Sequence, residues 1–495
     1  MTTLPQVLVD PSSPAPLHRQ VYESIRRSVL DGTLAPGTRL PATRELAASL
    51  GVARNTVMLA FEQLIAEGYL EGRVGAGTFV THSLPDDLLL ASRTSAVTPR
   101  GGRDENLSAR GRLLADTGRL NRREPTRERA FRIGLPDPDA FPFSEWSRIL
   151  GRVSRKPELA LLGYGESAGY RQLRDEIAAY LGAARAVQCD ASRVIIVSGS
   201  QQAIDLVARV LLDPGDAAWI EEPGYPGARA ALAASGARMV PVPVDREGIV
   251  VDAGIERAPD ARVAFVTPSH QFPLGLTMSL GRRAALLDWA HRAGAWVIED
   301  DFDSEYRYAG RPLASLQGLD GYGRVIYVGT FSKVMFPSLR IGYMVVPPEL
   351  VDAFISARAI VDRGSPSIEQ AALAQFMAEG HLARHIRRMR SLYARRRELL
   401  VDAARRRLGG LVEVDAPETG MHVVGWLPDG WDDERAALAA QREGLVVSPL
   451  SNYYLGEPPR PGLLLGYAAC DERTIETGMI ALAKALSTLG AQASR

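Results

Sequence analysis

Residues 325–343 read VIYVGTFSKVMFPSLRIGY. The apolar, mostly β-branched run Val325–Val328 reads as a strand buried on both faces. Lys333 stands just past its end. Lysine occurs elsewhere only at Lys156 and Lys484, so the 58 Lys+Arg residues are nearly all arginine. A lysine amine can lose its proton and attack a carbonyl, whereas a guanidinium stays charged. A lysine kept at a strand end in such a chain is therefore a candidate nucleophile. Arg340 follows a Pro–Ser bend, where its guanidinium can return to a phosphate. Thr330 and Ser332 place hydroxyls beside it.

Three other strand ends add to this one. In RVIIVSGSQQAIDLV a buried strand turns through small residues into a helix, so Ser198–Gln202 offers free backbone N–H groups to an anion. AAWIEEPGYPG sets Tyr225 beside Pro and Gly, either to lie flat on a ligand ring or to serve as a core tyrosine. AWVIEDDFDSEYRY places Asp300, Asp301 and Asp303 after an apolar strand, and a carboxylate at such an end faces a ligand crevice. Asp303 reads instead as part of a solvated acidic loop. Asp300 precedes Lys333 by about one strand–helix–strand crossover, so both fall on one edge of a parallel sheet. An amine, a carboxylate, a phosphate cup and a stacking aromatic together suit pyridoxal phosphate: the lysine forms a Schiff base and the carboxylate keeps the ring nitrogen protonated.

The N-terminal part has a different texture. Leu17, Val21, Ile25 and Val29 repeat every four residues, the stripe of an amphipathic helix. Leu46, Ala47 and Leu50 mark a short helix closed by Gly51. A further helix begins near Ala53, with Val57, Phe61, Leu64 and Ile65 expected on its buried side. Two short strands, Tyr69–Arg73 and Thr78–Val80, follow through Gly75 and Gly77. Helix, turn, helix and wing is the arrangement that lays a helix in the major groove. Arg54, Asn55 and Thr56 open that helix, and Arg and Asn read guanine and adenine. Arg39, Arg44 and Arg73 are suited to phosphates, with Gly75 in the wing.

Residues 17–80 resemble the GntR-type winged helix in LPATRELA, LGVARNTV and GRVGAGTFV. Ala42 and Ala53 stand where that family usually has serine caps. From about residue 131 to 490 the chain is similar to the fold-type I aminotransferases. The resemblance implies that Lys333 of TFSK carries pyridoxal phosphate and that Asp300 of IEDD pairs with its ring nitrogen. It implies that Tyr225 stacks on the ring and that Ser200, Gln201, Thr330 and Arg340 hold the phosphate. It also implies a homodimer, arranged head to tail, in which Tyr164 reaches the partner's phosphate. Together the halves resemble the MocR-type regulators, with EEPGYPG, TPSHQFPLG and EDDFDSEYRY in that group's manner.

Some positions depart from the pattern. Phe272 and Phe302 stand where aminotransferases usually offer asparagine and tyrosine to the cofactor's phenolic oxygen. Gly227 stands where GABA-responsive relatives grip a carboxylate with arginine, and Arg460 in PPRPGLLLGYA is the candidate for an effector carboxylate. His270 and Gln271 either line the site or shape its loop.

The expected fold class is thus α/β. A winged helix spans 12–80, a linker with a short helix near Leu107–Leu114 spans 81–130, and an aminotransferase-like domain spans 131–490, with a mainly parallel large subdomain and a smaller α+β C-terminal one. A net charge of zero assigns nucleic-acid binding to local arrangement rather than overall charge. Two cysteines, Cys189 and Cys470, exclude a disulfide framework or Cys-rich metal site and fit a reducing cytoplasm. No apolar run reaches the roughly 18 residues a membrane helix needs. These features lead to a dimeric, operator-binding regulator that senses pyridoxal phosphate or an amine captured on it. The alternative is an active aminotransferase with an accessory DNA-binding head.

Overall fold

A computed structural model describes residues 9–10, 13–73, 75–82, 107–120, 130–310 and 313–493. The chain forms two compact units, Met1–Asn106 and Leu107–Arg495. No helix among the described residues is long and apolar enough to cross a membrane.

In the first unit the four-residue stripe becomes α1 (Leu17–Leu30), which buries Val21, Ile25 and Val29. α2 (Thr43–Leu50) ends at Gly51, whose φ of 65° supplies the left-handed residue that closes a helix. α3 (Arg54–Ala66) buries Val57, Ala60, Phe61 and Leu64. Ile65, expected on that face, is 42% exposed. Positions 57, 60, 61 and 64 already fill the i, i+3, i+4, i+7 stripe, and residue 65 turns beyond its edge. β1 (Leu70–Arg73) and β2 (Gly77–Val80) pair antiparallel, Leu70 opposite Val80 and Arg73 opposite Gly77.

Ala42 and Ala53 are the N-cap residues of α2 and α3, and neither helix start receives a side-chain hydrogen bond. A serine cap is worth about 0.5–2 kcal/mol. Ala42→Ser with Ala53→Ser is therefore expected to stabilise the N-terminal unit by roughly 1–3 kcal/mol. Denaturant titration followed on that unit's own unfolding step in the full-length protein would read the change; an unmoved midpoint would contradict it.

The second unit opens with the helix Ala109–Leu120, two residues later than expected, because Ser108 caps it through the Gly111 amide at 3.0 Å. Residues 83–106 and 121–129, within the stretch expected to be a linker, lie outside the described residues. Among the described residues an eight-stranded sheet is built from β3 (Val194–Val197), β4 (Ala217–Glu222), β5 (Arg238–Asp245), β6 (Gly248–Ile249), β7 (Val263–Val266), β8 (Trp296–Asp301), β9 (Val325–Thr330) and β10 (Gly342–Val345). Their spatial order is β3-β10-β9-β8-β7-β4-β5-β6. β5, β4, β7, β8 and β9 run parallel, while β10 runs against both β9 and β3.

Strand alternation distributes the core between the two faces of this sheet. Ile195 and Val197 join one apolar cluster, Val194 and Ile196 another. A smaller sheet, ordered β11 (Glu413–Val414), β12 (His422–Trp426), β14 (Gly462–Gly466) and β13 (Ser448–Pro449), is wholly antiparallel. With the helices His381–Arg407 and Glu472–Ala493 it forms the α+β C-terminal part. Parallel strands bring their C-terminal ends to one edge, and β3 ends there too because β10 reverses between it and β9. In the β8–β9 register Asp300 faces Val328, so Asp300 and Lys333 leave the sheet at the same edge.

Candidate cofactor site

The turn after β3 starts the cup. Gly199 has a φ of 118°, a conformation open to glycine, and the helix Ser200–Leu211 begins immediately after it without a side-chain cap. Its first amides therefore face the crevice as an anion site. Ser198 N–H is turned to Gln202 Oε1 at 2.8 Å, and Gln201 Nε2 donates to the Gly227 carbonyl at 2.8 Å. A Cβ on Gly342 would lie 2.8 Å from Gly199 Cα, so two glycines allow β10 to press against the turn. A Cβ on Gly199 would lie 3.7 Å from an Arg340 guanidinium nitrogen. Arg340 itself adopts a φ of 54°. A non-glycine residue held in this region is strained, and such strain gathers at ligand clamps. Thr330 is buried, its hydroxyl accepting from Ser332 N–H at 3.2 Å. The turn residues Ser200 and Gln201 and the cation Arg340 are thereby brought together.

Lys333 Nζ donates to the Gly134 carbonyl at 2.8 Å. A Cβ on Gly134 would come within 2.7 Å of that nitrogen, so residue 134 must be bare for the amine to lie where it does. Asp300 is 4% exposed, and its Oδ1 lacks a hydrogen-bond partner among the described residues. Burial, then the charge of Asp301, pushes its carboxyl up to about 7, with Lys333 acting in the opposite sense. A buried carboxylate oxygen without a partner is costly and is satisfied by a cation or a donor. A protonated ring nitrogen supplies both, so this orphaned oxygen fits pyridoxal phosphate. Asp301 points elsewhere: Arg185 at 2.8 Å and Tyr327 Oη at 2.6 Å engage it within the core.

Tyr225 precedes the helix Pro226–Ser235, its hydroxyl 3.5 Å from Gln201 Oε1 and its ring edge-on to Phe272 at 5.9 Å. Gly227 lets Gln201 and Tyr225 lie where they do. A Cβ at that position would lie 2.4 Å from both Gln201 Oε1 and the Tyr225 ring, so an arginine there would displace the cup's own wall.

Two expectations change. Asp303 is 1% exposed, not solvated, and both its oxygens meet His270 Nδ1, at 2.9 and 3.0 Å. Packing of the C-terminal part over the turn explains this: a Cβ on Gly420 would overlap the His270 ring, and the His422 ring lies 5.3 Å away. Arg460 is not brought to the cup. Its guanidinium pairs with Glu413 at 2.8 Å, donates to the Leu427 carbonyl at 3.2 Å and lies over Trp426. Glu413 and Trp426 face each other across β11 and β12 at the end of β12 away from His422. Gln271 shapes its loop, donating to the Pro223 and Phe272 carbonyls at 2.8 and 2.9 Å.

Tyr164 is 84% exposed, with Arg363 stacked over its ring at 5.5 Å. It reaches none of the cup residues of its own chain through any of these bonds. In the first unit Arg54 and Asn55 stand exposed at the start of α3, and Arg39 and Arg44 are exposed as well. Arg73 pairs with Glu71 at 2.6 Å and covers Phe79, so the wing carries this arginine braced rather than free. Gly75 lies at the wing's turn, with a φ of 74°.

Comparison with known proteins supports each half separately and then the whole. Residues 158–482 match the family model for aminotransferase class I and II, and residues 17–80 that for bacterial regulatory proteins of the gntR family. The chain is 45% identical to the probable rhizopine catabolism regulatory protein MocR of Rhizobium meliloti, over 98% of this chain and 96% of that one. It is 32% identical to the pyridoxine biosynthesis transcriptional regulator PdxR of Corynebacterium glutamicum, over 97% and 98% respectively. Among solved structures it resembles a Pyrococcus horikoshii kynurenine aminotransferase complexed with PMP (TM-score 0.69, 30% identity, 80% of this chain, 99% of that one). It also resembles the Thermus thermophilus aminotransferase LysN carrying N-(5'-phosphopyridoxyl)-L-leucine (TM-score 0.68, 31% identity, 78% and 96%).

Proposed function

Because the chain belongs to the MocR-type regulators, in which a GntR winged helix is fused to a class I and II aminotransferase domain, we propose that it is a transcriptional regulator whose operator binding responds to pyridoxal phosphate or to an amine held on it. The observation that carries this reading is the buried, partnerless Asp300 oxygen at the same sheet edge as Lys333, the Ser200 helix start and Arg340. When bound, pyridoxal phosphate supplies an aldehyde for a primary amine and a ring that withdraws electrons. Lys333 is the chain's nucleophile toward it. Asp300 holds the proton on the ring nitrogen, Tyr225 covers the ring, and the amides of Ser200 and Gln201, the hydroxyls of Thr330 and Ser332 and the Arg340 guanidinium hold the phosphate.

Tyr164, left outside its own cup, serves the partner's phosphate in a head-to-tail homodimer. Phe272 and Phe302 meet edge-on at 5.8 Å and offer no hydrogen bond through their side chains. Poor proton handling at the cofactor's oxygen follows, which favours a sensor over a catalyst. A ligand acts on the heads only by binding one of their arrangements better than another.

DNA reading rests on Arg54, Asn55 and Thr56 at the start of α3, with Arg39, Arg44, Arg73 and the Gly75 turn on the backbone. Two heads per dimer suit direct or inverted half-sites spaced by helical turns. Arg54→Ala is expected to weaken binding to a duplex selected from a random pool by about 5- to 150-fold, the value of roughly 1–3 kcal/mol for a bidentate base contact. Cofactor absorbance stays as in the parent. Fluorescence anisotropy at fixed salt measures the first and a visible spectrum the second; unaltered affinity for the selected duplex would remove α3 as the reading helix.

A further inference from the structure

One side of the cup is apolar and has no role in holding the cofactor's phosphate or ring nitrogen. Phe272 is its centre: its ring lies 5.3 Å from Tyr453, 5.7 Å from His422, 5.8 Å from Phe302 and 5.9 Å from Tyr225. Phe272, Phe302, Leu274 and Ile133 are each only partly buried. Phe272, Leu274 and Ile133 pack on one small apolar cluster with Tyr453, Val424 and Leu464. This wall adjoins the amine, for Ile133 precedes the Gly134 whose carbonyl holds Lys333 Nζ, and the Lys333 charge acts on His422.

The wall is also poor in positive charge. Burial drives His422 down to about 4, so it is neutral, and its Nε2 faces the Pro273 carbonyl at 2.9 Å. Arg229 is engaged by Glu222 and by the Tyr453 carbonyl. Arg460 is held at Glu413, and position 227 is a glycine that brings no charge. Buried carboxylates of Glu221, Asp300 and Asp303 lie close by. A ligand carboxylate set against this wall would be desolvated beside acids, with only the Lys333 amine as a nearby cation. A ring or hydrocarbon body would gain from burial and from edge-to-face contacts.

We propose that Phe272, Phe302 and Tyr453 form a specificity subsite that selects a primary amine with an apolar or aromatic ring body and no carboxylate. This rests on the reading of Lys333 and Asp300 as the pyridoxal phosphate site. Capture exchanges one carbon–nitrogen double bond for another: the incoming nitrogen bonds the cofactor's aldehyde carbon, the bond to Lys333 breaks, and two protons pass from the incoming nitrogen to that of lysine. No oxidant or reductant is consumed. The ring body then lies on the wall while Lys333 is released toward Gly134.

Phenethylamine and phenylalanine share a ring and differ in the carboxylate, so they test the subsite directly; methylamine controls for the amine alone. Full-length protein loaded with pyridoxal phosphate is titrated with each, reading the visible spectrum and, independently, the shift in melting temperature. Phenethylamine is expected to half-saturate at a concentration at least tenfold below phenylalanine and at least tenfold below methylamine, about the worth of burying one ring. Phe272→Ala, and separately the milder Phe272→Leu, should shrink the phenethylamine-to-methylamine ratio, alanine more than leucine. Equal or tighter binding of phenylalanine overturns the subsite, as does a ratio unaltered in both variants. Absence of any cofactor spectrum before an amine is added overturns the underlying site as well, and so separates the two failures.

Discussion

Lys333→Ala is expected to leave a folded protein that no longer holds pyridoxal phosphate covalently: borohydride reduction followed by peptide mapping should yield no pyridoxyl adduct, where the parent should carry one on residue 333. The expected loss is complete, because no second amine is available to take over. Lys484 is occupied with Glu443 at 2.9 Å on the C-terminal helix, and Lys156 is exposed at the end of the helix Phe143–Arg155. Lys333→Arg is the sharper variant. It keeps the positive charge that opposes the upward shift of Asp300, and it fails equally, since a guanidinium does not deprotonate to attack an aldehyde. It must also fit where a Gly134 Cβ would come within 2.7 Å of the present amine. If the arginine variant restored cofactor retention that the alanine variant lost, Lys333 would be a counter-charge rather than a nucleophile. Melting curves of the cofactor-free proteins separate loss of the bond from loss of the fold.

Features set by one stretch of chain were legible before the structure; those set by packing between distant stretches were not. The β8–β9 crossover is local in sequence, and its apolar strands and their ends announced Asp300 and Lys333 together. α1 to α3 announced themselves by four-residue spacing, and Gly51 by its place at a helix end. Asp303 shows the other case. It follows the same strand as Asp300 and looks like solvated loop, yet the C-terminal part, more than a hundred residues later, closes over it and His270. Arg460 failed for a related reason: its Pro-rich approach conceals the register of β14, and Glu413 claims the guanidinium. Gly134, Gly199 and Gly342 were missed because a glycine's importance lies in what approaches it. Gly199, between a buried strand and a helix, was the one position where such an approach had a sequence signal.

Asp300→Asn is expected to move stability and cofactor affinity in opposite directions. In the protein without cofactor, burial and Asp301 raise the Asp300 carboxyl from 3.8 to about 7. A group whose folded value lies above its unfolded one contributes stability that is fully present below about pH 4 and is lost as pH rises through about 7. At pH 8 the folded chain therefore carries an ionised, partnerless carboxylate that the unfolded chain solvates freely. At about 1.4 kcal/mol per pKa unit the cost has a ceiling of roughly 4 kcal/mol, and relaxation around the site leaves roughly 1–3. Asparagine removes the charge and that cost, so the cofactor-free variant should be more stable than the parent by roughly 1–3 kcal/mol at pH 8, by a smaller margin at pH 5, where the unfolded carboxyl is already ionised, and nearly equal to it only below about pH 4. Glu221, Glu299 and Glu305 are also pushed up to about 7 by burial, but they are common to both proteins and cancel in the comparison. With pyridoxal phosphate the order reverses. The ring nitrogen loses its anion, and truncating one partner of a buried charged pair costs about 2–5 kcal/mol, a loss of at least about 30-fold in affinity. Denaturant midpoints at pH 5 and pH 8, each with and without cofactor, give the four values required. A variant less stable than the parent in all four would mean that Asp300 is a structural acid satisfied by the protein itself, and the ring nitrogen would then need another partner.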